Sequence, residues 1–309
     1  MIEERNPKLE TLSVELAGIE MRNPAMLASG LLGLSRGLIR RFDKLGVGAI
    51  VSKSISCKPM TGYRNPTVVC LKGGSYINAV GLANPGAEGF STEVSNSFQT
   101  PLIISLIGSS ELDFSQLINT FNNANISGYE INLSCPHVGK MGREIGDDPD
   151  MVGKVVKTVK SATAKPVIVK VGTGNADLLE ISRAASKAGA DAITAINSIR
   201  AMAIDIDSER PILSNKIGGL SGKSIKSIAV RCVYEIYEAV DLPVIGCGGI
   251  FSWEDAAEFM LAGASAIQVG SAIAYEGLGI FEKITTGLKR YLEKKQLRNV
   301  GEIIGLAHK

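Results

Sequence analysis

A chain of 309 residues with 45% hydrophobic and 21% charged residues has the composition of an ordinary globular protein, and its length can bury a large core; a disordered chain is excluded. Thirty-three Lys+Arg against 31 Asp+Glu leave a net charge of +2, too balanced for a dedicated nucleic-acid binder. No apolar run approaches the ~18 residues of a membrane span, and the opening MIEERNPKLE has no signal-peptide core, so the expectation is a cytoplasmic enzyme without nucleic-acid or membrane partners.

The prefix 10–23 (ETLSVELAGIEMRN) alternates apolar and polar residues and predicts a short N-terminal β-hairpin covering one end of the fold. One pattern then recurs: a β-branched run ending in Gly, Ser or Asn, followed by apolar residues at helical spacing. The runs lie at 24–30, 49–55, 101–108, 128–135, 166–172, 192–198, 243–249 and 266–272. Helices are expected at about 35–45, 87–97, 111–124, 149–162, 177–188, 224–239, 253–262 and 279–295. Ser110, Asp148 and Ser252 stand where N-caps belong, each before an acidic or proline-containing first turn. Continuous apolar strands alternating with helices mean a parallel sheet buried on both faces, and eight such units predict an α/β fold of the closed (β/α)8 TIM-barrel type. Extra length falls after strands two (56–86) and six (199–223), with less after strand four (136–148), on the carboxyl face where barrels keep their chemistry. No linker interrupts 1–309, which reads as a single domain.

Polar residues inside apolar strands are the first functional signal. Lys53, Asn132, Lys170 and Asn197 fall within strand runs, and a buried lysine needs a partner, whether a bound anion or a neighbouring Asp or Glu. The second signal is glycine. Gly246–Gly249 close strand seven, Gly270 and Ser271 close strand eight, and Gly218–Gly222 end the long loop after strand six, either as a flexible loop with an N-cap or as part of a phosphate cradle. The third is Cys135, at the end of strand four in Asn132–His137, where a thiol can act as proton acceptor near neutral pH. His137 can tune that thiol or sit at the rim. The other cysteines, Cys57, Cys70, Cys232 and Cys247, read as small buried hydrophobes; no CxxC pair exists, and a zinc or iron–sulfur site in this chain is not expected. No GxGxxG stands at a strand-to-helix turn, which disfavours a Rossmann nicotinamide site. A lysine beside a phosphate cradle also suits a flavin-free aldolase or isomerase, with Lys53 or Lys170 as Schiff-base former, and a non-catalytic scaffold is the remaining reading.

The motifs NLSCP (132–136), NAVGL (78–82), IDI (204–206) and NKIGGLSG (215–222) together resemble the dihydroorotate dehydrogenase family across almost the whole chain, and AMAIDID…RPILSNKIGGLSG resembles the catalytic subunit of its NAD-linked two-subunit class. The resemblance implies an FMN enzyme that oxidises (S)-dihydroorotate to orotate in pyrimidine biosynthesis, with Cys135 removing the C5 proton while hydride leaves C6 for the flavin. It implies substrate contacts from Lys53, Asn78, Ala79, Val80, Gly81, Leu82, Asn132, Asn197 and Ser198. FMN contacts would come from Ser29, Lys53, Ser54, Ser105, Asn132, Lys170 and Ile196, and its phosphate would rest on Gly222, Gly248, Gly249, Gly270 and Ser271. Ser105 stands where the family usually has Asn, Ser198 where it has Thr, Lys223 where it has Pro, and His137 where it has Asn. The run NLSCPH also resembles the flavin domain of dihydropyrimidine dehydrogenase, which acts on uracil and thymine and is the alternative. In the two-subunit class, FAD and a [2Fe–2S] cluster reside on a separate electron-transfer subunit that reduces NAD. The resemblance therefore implies such a partner, and a homodimer of catalytic chains within a heterotetramer.

Overall fold

The structure is a computed structural model and describes residues 12–95, 98–133 and 145–309. Its centre is a closed ring of parallel strands: one (Ala25–Leu27), two (Ala49–Val51), three (Leu102–Leu106), four (Gly128–Asn132), five (Val167–Val171), six (Ala192–Ala195), seven (Val244–Cys247) and eight (Ala264–Val269). Each strand pairs with its sequence neighbours and eight closes on one, which is the (β/α)8 barrel expected from the pattern.

Helices wrap the ring at Arg36–Lys44, Gly86–Glu93, Glu111–Phe121, Pro149–Ala162, Leu178–Lys187, Lys226–Ala239, Trp253–Leu261 and Ile280–Lys295. Their starts follow from local chemistry. The Ser110 hydroxyl accepts from the Asp113 amide, Asp148 accepts from two first-turn amides, and Ser252 forms a reciprocal box with Asp255. The buried faces meet the strands in one apolar shell, where Phe42 stands edge-on to Phe281 at 6.0 Å and Phe90 to Phe121 at 6.2 Å.

Inside the ring the side chains form storeys. The lowest is apolar: Met26, Ala49, Val51, Ile103, Ile168, Ala192, Ile245 and Ala266 pack against Leu16, Ile19 and Met21 of a hairpin formed by Val14–Leu16 and Ile19–Met21. The predicted N-terminal hairpin thus stoppers the amino end of the barrel. Above it the interior turns polar with Ser105, Glu130, Lys170, Thr194 and Gln268, all buried.

Two regions differ from the sequence reading. The long segments after strands two and six do not remain loops; Val68–Leu71, Ser75–Asn78, Ile199–Met202 and Ile217–Gly222 form one four-stranded antiparallel sheet over the carboxyl face. Gly218–Gly222, read as a flexible loop or cradle, is a strand of that sheet. The glycines are needed because a Cβ on Gly218 would lie 2.5 Å from the Asn78 carbonyl oxygen and one on Gly219 would strike Ser198. A short helix, Ala272–Glu276, also separates strand eight from the last long helix.

Candidate active site

A cavity of about 490 Å³ opens at the carboxyl end of the barrel, beneath the antiparallel sheet, a volume in the range of cofactor sites. Ser29, Lys53, Asn78, Val80, Lys170, Ile196, Asn197, Ser198, Gly222, Gly248, Gly249, Gly270 and Ser271 line it, so thirteen residues singled out from the sequence converge on one cleft. Others stand behind the wall. Asn132 is buried; its Oδ1 accepts from Asn197 Nδ2 at 3.2 Å and its Nδ2 donates to Ser54 Oγ at 3.1 Å. Ser54 is in turn 2.9 Å from Ser105 Oγ, and the Ser105 amide donates to Ser52 Oγ. Ser54 and Ser105 therefore buttress Asn132. Ala79 packs with Ile77 and Leu213 in the small core of the covering sheet, while Gly81 and Leu82 form a left-handed turn against Tyr63. Cys135 and His137 lie outside the described residues.

The corner expected to hold a phosphate is built from backbone. Among the described residues, the N–H groups of Gly248, Gly249, Gly270 and Ser271 donate to no protein acceptor, and all four residues line the cavity. Uncommitted donors gathered at one corner favour an anion. Gly248 has φ +134 and Gly249 φ +76, and a Cβ on either would come within 2.9 Å of Ala229 or Lys226 side-chain atoms on the preceding helix, Lys226–Ala239. Only glycine lets this turn hug the helix and leave its amides open.

Two lysines set the charge. Lys53 follows the end of strand two rather than lying within it and is half-buried on the cavity wall; its ammonium has no hydrogen-bond or ion-pair partner among the described residues, and burial holds it below the ordinary lysine range. Lys170, on strand five, is 4% exposed and densely held, with Nζ 3.2 Å from Ser29 Oγ, 3.0 Å from Gln268 Oε1, 3.9 Å from Cys247 Sγ and 3.9 Å from Glu130 Oε1. Burial pulls its pKa down, but Cys247 and Glu130 outweigh that, and the net shift is upward. Lys170 stays charged, balanced by a carboxylate within the barrel. A Schiff-base role would need it neutral, which this setting opposes.

Sequence reasoning missed Glu130, Gln268, Thr194 and Cys247. Glu130 was visible in principle, since at two residues before Asn132 it shares that residue's inward face. Cys247, read as a buried hydrophobe, instead lines the cleft, and Cys70 is exposed; Cys232 does sit in the core. Tyr76 and Phe251 add aromatic wall, and Ala28, Leu31, Ile196 and Ile225 are among its aliphatic residues. Apolar walls beside an anion corner and a buried cation suit a flat ring system carrying a phosphate.

Fold and site together define a (β/α)8 barrel with a cleft at its carboxyl end, where open amides after strands seven and eight suit an anionic group. The family profile described as dihydroorotate dehydrogenase matches residues 11–292. The catalytic subunit of dihydroorotate dehydrogenase B (NAD(+)) from Pyrococcus furiosus is 47% identical over 300 residues, covering 97% of this chain and 99% of that protein. Its counterpart from Pyrococcus abyssi is 48% identical over 96% of this chain and 99% of its own, and that from Methanocella arvoryzae 42% over 96% and 98%. The chain belongs to the dihydroorotate dehydrogenase family of flavin-dependent oxidoreductases. Among the described residues, no helix is long and apolar enough to cross a membrane.

Proposed function

We propose that this chain, as one FMN-binding domain over 1–309, is the catalytic subunit of an NAD-linked dihydroorotate dehydrogenase, working in the cytoplasm to oxidise (S)-dihydroorotate to orotate for pyrimidine biosynthesis. Bound FMN supplies a two-electron hydride acceptor. The open amides of Gly248, Gly249, Gly270 and Ser271 hold its phosphate, with Gly222 at the same corner, and Ser29, Lys170 and Ile196 border its ring system. Lys53, Asn78, Asn132, Asn197 and Ser198 orient the substrate, a planar anion whose carboxylate and ring amides call for one cation and several amides. Cys135 removes the C5 proton. Electrons leave to a partner subunit carrying FAD and a [2Fe–2S] cluster; the relatives' name "catalytic subunit" supports a separate partner.

The observation that carries this reading is the Lys53 ammonium, without a partner among the described residues, on the same cleft as the open amide corner. The test is an anaerobic titration of the purified, FMN-loaded protein. Bleaching of the flavin by dihydroorotate is expected; bleaching by dihydrouracil alone would instead place the chain with dihydropyrimidine dehydrogenases, and a protein that stays colourless with added FMN would overturn the cofactor.

A further inference from the structure

The polar storey beneath the cleft contains a carboxylate that the proposed reaction gives no role. Glu130, on strand four, is fully buried. Its Oε2 accepts from Thr194 Oγ1 of strand six at 3.0 Å and from Gln268 Nε2 of strand eight at 2.5 Å. Among the described residues its Oε1 accepts no hydrogen bond, and it faces the Lys170 ammonium at 3.9 Å. Gln268 ties the pair together: its amide nitrogen donates to Glu130, and its oxygen accepts from Lys170 at 3.0 Å. Since Gln268 donates to one and accepts from the other, its amide orientation is set by the two charges.

We propose that Glu130 is a positioning residue that keeps Lys170 protonated and aimed at the cleft, so that the bound flavin meets a fixed positive charge before and after reduction. The inference rests on the reading that the cleft holds FMN. A buried carboxylate is retained only against a cost in desolvation, and an apolar residue would fill the same volume more cheaply. What the apolar residue cannot do is hold an ammonium charged in a site that water leaves. A lysine buried without a counter-charge moves its pKa down by up to several units and sheds its proton near neutrality. The titratable groups around Lys170 among the described residues are Glu130 on strand four, Cys247 on strand seven and, along the cleft wall, Lys53; Ser29, Thr194 and Gln268 are neutral. Burial raises the Cys247 thiol, so it adds negative charge beside Lys170 only as it ionises in the alkaline range, and at pH 7 the negative charge in that set is that of Glu130.

The consequence concerns protons counted per electron pair. Two electrons and one proton convert the oxidised flavin to its anionic reduced form, whose charge the permanent Lys170 ammonium offsets. In Glu130→Gln, Lys170 is neutral beside the oxidised flavin and charged beside the reduced one, so reduction takes up a second proton at Nζ. The experiment is potentiometry of the FMN-loaded protein from pH 6 to 9, without substrate. The midpoint potential of Glu130→Gln is expected to fall about twice as steeply with pH as that of wild type, two protons per two electrons against one. A variant that binds FMN with the wild-type pH dependence overturns the inference and leaves the cofactor reading intact. Failure of the wild-type protein to take up FMN overturns both. If Glu130→Gln does not fold, Glu130→Met, which also removes the charge and fills the same volume with an apolar chain, is measured instead: the steeper slope supports the role, and a wild-type slope refutes it.

Discussion

Asn197 Nδ2 donates to Asn132 Oδ1 at 3.2 Å, joining the ends of strands four and six across the mouth of the barrel. Asn132 is fixed from behind by Ser54, so one amide is oriented by a hydroxyl below and orients another on the wall of the cleft. Asn132→Ala removes an acceptor and a donor at once. We expect flavin reduction by dihydroorotate to slow about 10–100-fold in single-turnover experiments, the cost of about 1–3 kcal/mol for leaving a buried polar partner unpaired. FMN content, measured by absorbance, is expected to change less than the rate.

Lys53 contributes a charge-dependent contact. Its ammonium sits below the usual lysine value of 10.5 because of burial, so the charge is lost at lower pH than on an exposed lysine. Only the protonated form attracts the substrate carboxylate, and affinity for orotate is therefore expected to weaken as pH rises into the alkaline range. Binding the anion favours the ammonium and draws a proton onto it. Lys53→Met should weaken orotate about 10–100-fold and flatten that pH dependence, read by equilibrium titration of the flavin spectrum.

Gly248→Ala tests the phosphate corner. At φ +134 an alanine is strained, and its Cβ would meet the Ala229 Cβ at 2.9 Å and Ile225 Cδ1 at 3.2 Å. The turn must shift away from the helix, at a cost of about 1–3 kcal/mol. The expected outcome is reduced FMN retention on gel filtration, with apoprotein secondary structure unchanged by circular dichroism.

Cys135→Ser exchanges a thiol for a hydroxyl, a far weaker proton acceptor near pH 7. Bleaching by dihydroorotate is expected to slow about 10²–10⁴-fold, with FMN still bound. Unchanged bleaching would remove Cys135 from the mechanism.

Eight strand-and-helix units, the hairpin before them and the N-caps at Ser110, Asp148 and Ser252 were readable from the chain, because each depends on periodicity and on contacts within a few residues. So were the glycines after strands seven and eight, since a tight turn requires glycine locally. The covering sheet was not readable: Gly219 pairs with Asn78 and Arg200, and neither partner is signalled by local pattern. The same limit hid the network beneath the cleft. Glu130, Lys170, Thr194 and Gln268 stand on four different strands, and which charges neutralise one another inside the barrel follows only from closure of the ring, which brings inward-facing positions far apart in the chain to within hydrogen-bonding distance. Local preference wrote the strands and turns; ring closure chose the partners.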